Sequence, residues 1–156
     1  GKPTVFNMQT GLGTYAAFAI GKEDILEALQ YVDVFAPLKE GLADLFGSDE
    51  VSQILPELRK YFKGLLIVTQ GSKGVIAYDS DDQRVEVPAY PITPVDTTGA
   101  GDSFIGAFMV ARYQWNQPLE EALRTANACA AYTCTGLGAR SGPKAEALDQ
   151  WIKKHS

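Results

Sequence analysis

Residues 94–108 read PVDTTGAGDSFIGAF. Two aspartates, Asp96 and Asp102, flank a stretch of main chain almost bare of side chains. Beyond it Phe104, Ile105, Phe108 and Met109 recur at helical spacing. Gly99, Ala100 and Gly101 therefore stand at the start of an amphipathic helix, where the leading N–H groups lack intrahelical partners. Aligned peptide dipoles put partial positive charge there, and small residues let an anion approach the backbone, so the spacing predicts an anion pocket. Asp102 has two readings. As a helix cap it stabilises the helix by about 0.5–2 kcal/mol, which leaves Thr97, Thr98 and Asp96 without a task. Phosphoryl transfer gives all of them one, because it needs donors for charge spreading over oxygen and a base within reach of the attacking hydroxyl. The stretch is neither GxxxxGK[ST] nor GxGxxG, the two commonest glycine-rich phosphate loops.

Outward from that loop the chain alternates strands and helices. TVFN (4–7), VDVFAP (32–37) and LLIVT (65–69) read as strands, the last apolar up to its final residue, as in a parallel sheet buried on both faces. GVIAY (74–78) and RVEVPAY (84–90), joined by DSDDQ, read as an antiparallel hairpin at the sheet's edge. Helices are predicted over GKEDILEALQY, over LKEGLADLF ending at Gly47, and over SDEVSQILPELRKYF with a break or restart at Pro56. Others run from Pro118 to Thr135, rich in alanine, and from Lys144 to Lys153. The pattern is one α/β domain over residues 1–156, without repeats, low-complexity segments or linkers.

The 156 residues, 46% hydrophobic and 21% charged, suffice for a core. A formal net charge of −5 with scattered Lys and Arg argues against nucleic acid or an anionic membrane surface as a partner. No apolar run approaches the roughly 20 residues of a membrane span, and the start lacks a signal-peptide plan, so a cytoplasmic location is expected. The chain opens without Met on a strand-like TVF, which reads as a processed piece. Cys129 and Cys134 point to different sides of one helix and are expected as buried free thiols. The only histidine, His155, lies next to the last residue, which excludes His-based triads and His-bearing zinc sites.

DTTGAGDSFIGAF resembles the C-terminal signature of ribokinase-like, or PfkB family, carbohydrate kinases. VTQGSKG is similar to that family's TxGxxG beside the ATP phosphates, and ANACAAYTCTGLGARSG resembles its adenine-side segment. The resemblance implies a ribokinase-like three-layer α/β/α sandwich, mostly parallel with an antiparallel edge hairpin, of which this chain covers the C-terminal half. It implies Asp102 as the catalytic base and Gly99, Ala100 and Gly101 as the anion hole. Thr69, Gly71, Gly74 and Asn127 would border ATP. A monovalent cation, K+, would be held around Asp96, Thr98, Thr133 and Gly138. Plain structure explains several of these as well: a hairpin turn for Gly71 and Gly74, close helix packing around Asn127, a turn cap for Asp96.

Two departures stand out. Relatives carry PNExE after the second of these strands, whose Asn and last Glu organise Mg2+; here Leu38 and Gly41 take those places, with Glu40 the nearest substitute. The family also runs to about twice this length, and its N-terminal half grips the sugar. The expected function is transfer of the γ-phosphate of ATP to a hydroxyl of a sugar or sugar acid, with a homodimer compatible. The alternatives are a nucleoside or vitamin kinase of the same fold, or a nucleotide-binding scaffold without turnover.

Overall fold

The computed structural model describes residues 2–155. Five strands form one sheet in sequence order: β1 (Val5–Met8), β2 (Val34–Pro37), β3 (Leu65–Thr69), β4 (Val75–Tyr78) and β5 (Arg84–Val87). β1 pairs with β2 and β2 with β3 in parallel, with Val5 opposite Val34 and Val34 opposite Leu65. The links 70–74 and 79–83 are too short for parallel crossovers, so β4 and β5 reverse direction and the sheet is mixed, as the hairpin pattern predicts. All four residues of β2 are buried, the mark of a strand covered on both faces.

The chain divides into two compact units. The first runs to Gln70 and takes in Ile76–Arg84. It holds α1 (Leu12–Ala16), α2 (Lys22–Ala28), α3 (Lys39–Phe46) and α4 (Val51–Leu58). Phe35 centres its core, stacked on Phe6 at 5.7 Å and edge-on to Phe62 at 5.9 Å, among Leu42, Leu45, Leu58 and Leu66. α3 ends at Gly47, which is left-handed (φ 75°) and returns its N–H to Ala43. α4 corrects the expected break at Pro56, since the helix runs through it. Pro56 and Ser52, whose carbonyl loses its partner, both face solvent, while Val51, Ile54, Leu55 and Leu58 form the buried stripe. α1 has no counterpart in the sequence reading. Its first N–H, on Leu12, is capped by the Asp44 carboxylate from α3 at 2.8 Å.

The second unit comprises Gly71–Val75 and the chain from Val85 onward. α5 (Ala100–Tyr113) packs on α6 (Leu119–Cys134), and α7 (Ala145–His155) packs on α6. Ala122, Ala126, Ala128 and Ala131 are buried on α6, where short side chains let helices approach closely. Phe104 and Phe108 are buried on α5, as the helical stripe predicts. Cys129 and Cys134 are free and buried, and burial pushes both thiols' pKa up. Among the described residues no helix is long and apolar enough to cross a membrane.

Candidate active site

Gly99 occupies the N-cap of α5 in a left-handed conformation (φ 81°), and no side chain caps the helix. A Cβ on it would lie 2.6 Å from the Ala139 carbonyl oxygen, so the turn 136–141 rests directly on this glycine. The Ala100 N–H donates to the Thr97 carbonyl at 3.2 Å, and Ser103 closes the first helical turn onto Gly99 at 2.9 Å. Among the described residues the N–H groups of Gly99, Gly101 and Asp102 have no hydrogen-bond partner. Asp102 is exposed in the first turn, and its carboxylate accepts no hydrogen bond and joins no ion pair among the described residues. Of the three amides expected in the anion hole, that of Ala100 is held by the Thr97 carbonyl in this structure.

Asp96 knots the loop to the end of α6. Its Oδ1 accepts the Thr98 N–H at 2.9 Å, and its Oδ2 accepts the Gly138 N–H at 2.9 Å. The backbone N–H and hydroxyl of Thr98, then the Gly138 N–H, hold this carboxyl below the usual carboxylate range. The Val95 N–H also donates to the Cys134 carbonyl at 2.8 Å. Asp96, Thr98 and Gly138 are therefore brought together as predicted, by hydrogen bonds. Thr133 is buried, its hydroxyl donating to Cys129 at 2.8 Å. Its carbonyl accepts the Gly136 N–H and that of Gly138 the Ser141 N–H, each at 3.2 Å, while the Ser141 hydroxyl lies 2.8 Å from both carbonyls and has one proton to give to one of them. One of the two carbonyls therefore keeps a lone pair open at this turn.

Asn127 is buried; its Nδ2 donates to the Val87 carbonyl at 3.2 Å and to that of Pro88 at 3.1 Å, so the amide ties α6 to the end of β5, as the close-packing reading expects. Gly74 has a structural requirement of its own, with φ at 100° and a Cβ position 2.2 Å from the Val87 carbonyl oxygen. Gly71 is exposed and left-handed (φ 58°) with open space around it. In the first unit, Thr69 ends β3 half-buried and bridges Leu38. Glu40 is exposed in the first turn of α3. Gly41 is buried, and a Cβ there would sit 3.2 Å from the Met8 sulfur, which occupies the space a larger residue would enter. Among the described residues no three His, Cys, Asp or Glu side chains converge as a metal site. Neither of two surface hollows, about 510 Å³ beside Asp33 and Lys60 and about 280 Å³ beside Trp115 and Cys129, is lined by the Gly99–Asp102 loop. Sequence reasoning missed Ser141, because its partners are set by the fold and no spacing advertises them.

The family model for pfkB family carbohydrate kinases matches residues 13–146, and the chain belongs to that family. A ribokinase of Bacillus subtilis (strain 168) is 34% identical over 116 residues, which are 74% of this chain and 38% of that protein. A cytidine kinase of Thermococcus kodakarensis is 36% identical over 115 residues, 71% of this chain and 40% of its own length. Among solved structures, a putative ribokinase II of E. coli, in complex with ATP and Mg2+, superposes with a TM-score of 0.77 at 27% identity. The match covers 86% of this chain and 43% of that one. The fold is thus ribokinase-like, and the chain spans less than half the length of these relatives.

Proposed function

We propose that the chain carries the nucleotide-side catalytic part of an ATP-dependent kinase, with a hydroxyl of a sugar or sugar acid as acceptor. The observation that carries this reading is the start of α5, where three N–H groups without partners stand beside an exposed carboxylate without a partner. The N–H groups of Gly99, Gly101 and Asp102 would donate to the oxygens of the migrating phosphoryl group, whose charge grows toward the transition state. Asp102 would take the proton of the acceptor hydroxyl as its oxygen bonds to the γ-phosphorus. The bond from that phosphorus to the β-bridging oxygen breaks, and ADP leaves with the electron pair. Mg2+ fits as an ion brought on the nucleotide's own phosphates, where it would neutralise their charge, since Glu40 alone cannot cage it.

A nucleoside acceptor is supported by the cytidine kinase relative. The reading as a scaffold without turnover is supported by Leu38 and Gly41, which stand where the family's metal-organising Asn and Glu are expected. The test is ATP-dependent phosphorylation of a panel of sugars, sugar acids and nucleosides, by the 156-residue chain and by any longer form of the gene product. Asp102→Asn is expected to lower turnover by about 10²–10⁴-fold while ATP binding persists. Full activity in that variant would remove Asp102 from the mechanism. ATP binding with no acceptor phosphorylated would favour the scaffold.

A further inference from the structure

The amino ends of β2 and β3 lie side by side, at the other end of these strands from the Leu38–Thr69 bridge, and the hollow of about 510 Å³ opens beside them. Gly64, just before β3, has no room for a Cβ against the Asp33 carbonyl, which accepts the Leu65 N–H at 2.9 Å. Two successive donors are left over there: among the described residues the N–H groups of Lys63 and Gly64 have no hydrogen-bond partner. Successive backbone N–H groups without partners suit an anion. The same hollow is lined by Lys60, Lys63, Gln30 and Tyr61, and neither the Gln30 amide nor the Tyr61 hydroxyl forms a hydrogen bond among the described residues.

Within a chain of net charge −5, residues 59–63 read RKYFK. Arg59 is committed to Asp82 and to backbone carbonyls. Lys60 pairs with Glu57 at 2.5 Å, but their side chains are 65% and 48% exposed, and an ion pair of that kind contributes little, so the ammonium can turn to a stronger partner. The Lys63 ammonium donates to the Arg59 carbonyl. The dipole of α4 accounts for a lysine beyond its carboxyl end. It does not account for two lysines and two spare amides around one hollow. Asp33 is the acid of this lining, and its Oδ2 accepts the Thr4 N–H and hydroxyl, which leaves Oδ1 for a neutral donor.

We propose that this hollow binds a small phosphate monoester that carries hydroxyl groups, such as a sugar phosphate. Lys60, Lys63 and the two amides would hold the phosphate, and Asp33 Oδ1 with the Gln30 amide the hydroxyls. A longer polyphosphate would set further negative charge beside Asp33, which counts against it. The volume lies within the range of small-molecule sites, roughly 300–1,000 Å³. The inference does not depend on the reading of the Gly99–Asp102 loop.

The test titrates ribose 5-phosphate, inorganic phosphate and ribose into the full chain, followed by calorimetry and by NMR of the backbone amides. Ribose 5-phosphate is expected to shift the Lys63 and Gly64 amides and to bind about tenfold more tightly than inorganic phosphate, since it also meets Asp33 and Gln30. Ribose should not bind. Lys60→Gln combined with Lys63→Gln is expected to weaken the ester by about tenfold or more, the scale of lost charge-assisted hydrogen bonds. Lys153→Gln, on α7, removes the same kind of charge and should change nothing. Absence of shifts at Lys63 and Gly64, or an affinity that survives the double variant, would overturn the proposal. An equal loss in Lys153→Gln would reduce it to general charge attraction, and inorganic phosphate bound as tightly as the ester would mean an adventitious ion only. Shifts confined to the Gly99–Asp102 amides would place the ester at the start of α5, which ends this proposal and leaves the kinase reading standing. Should the double variant not fold, Lys60→Gln alone and Gln30→Ala carry the same comparison.

Discussion

Gly99 is glycine for two independent reasons: a left-handed backbone at φ 81°, and the Ala139 carbonyl oxygen 2.6 Å from where a Cβ would stand. Gly99→Ala is expected to cost about 1–3 kcal/mol, from the conformation and the clash together, read as a lower midpoint in urea or heat. ATP binding should weaken with it, since relief of the clash moves either the loop or the turn. Gly41 answers a different question. Because Met8 lies 3.2 Å from its Cβ position and the residue is buried, Gly41→Glu is expected to destabilise the fold and bring no gain in Mg2+ affinity, measured by thermal melting with and without the ion. At this scale the loop was largely legible, because bare backbone before an apolar helical stripe is a local pattern. The partners of Asn127 are ones that local patterns cannot supply. Its amide meets Val87 and Pro88, some forty residues earlier in the chain.

Among the elements, α4 and the β4–β5 turn are stitched together by one side chain. Arg59, at the end of α4, donates from Nε to Asp82 at 2.7 Å and from its guanidinium to the carbonyls of Gly64, at 2.7 Å, and Asp79. Its side chain is only 11% exposed, so those carbonyls lose their donor if it is removed. Arg59→Ala is expected to lower stability by about 1–3 kcal/mol in urea titration. Arg59→Lys should recover less than half, because an ammonium lacks the planar fork that reaches several acceptors at once. Element positions were mostly legible from periodicity, down to the stop of α3 at Gly47. Pro56 and α1 were not. A proline's effect depends on which helix face it occupies, and α1 exists with a cap borrowed from Asp44 on another helix.

For the molecule as a whole, acid stability carries a readable contribution from Asp33. The Thr4 N–H at 2.7 Å, then the Thr4 hydroxyl at 2.9 Å, hold its carboxyl below the usual range and pin the start of β1 beside β2. A carboxyl whose folded pKa is depressed adds stability that is fully present above its unfolded value, about 3.9, and is lost as pH falls through the folded value. Melting temperature should therefore fall below about pH 4, and fall less steeply in Asp33→Asn, which lacks the titrating group and starts from a lower plateau. A wild-type profile parallel to that of the variant would show that Asp33 does not contribute. The mixed five-stranded sheet was legible at this scale, since continuous apolar strands and a polar hairpin turn are composition-level signals.

Order along the chain, strand and helix identity, and the exposed amides before α5 follow from the sequence, because each depends on residues within a turn or two of one another. Tertiary structure alone decided which polar groups remain available. Ala100 and Asn127 donate to carbonyls, the Asp96 carboxylate accepts two backbone N–H groups, and that of Asp102 accepts none among the described residues. A hydrogen-bonding group serves chemistry only when no internal partner claims it, and distant parts of the chain supply those partners only once it has folded.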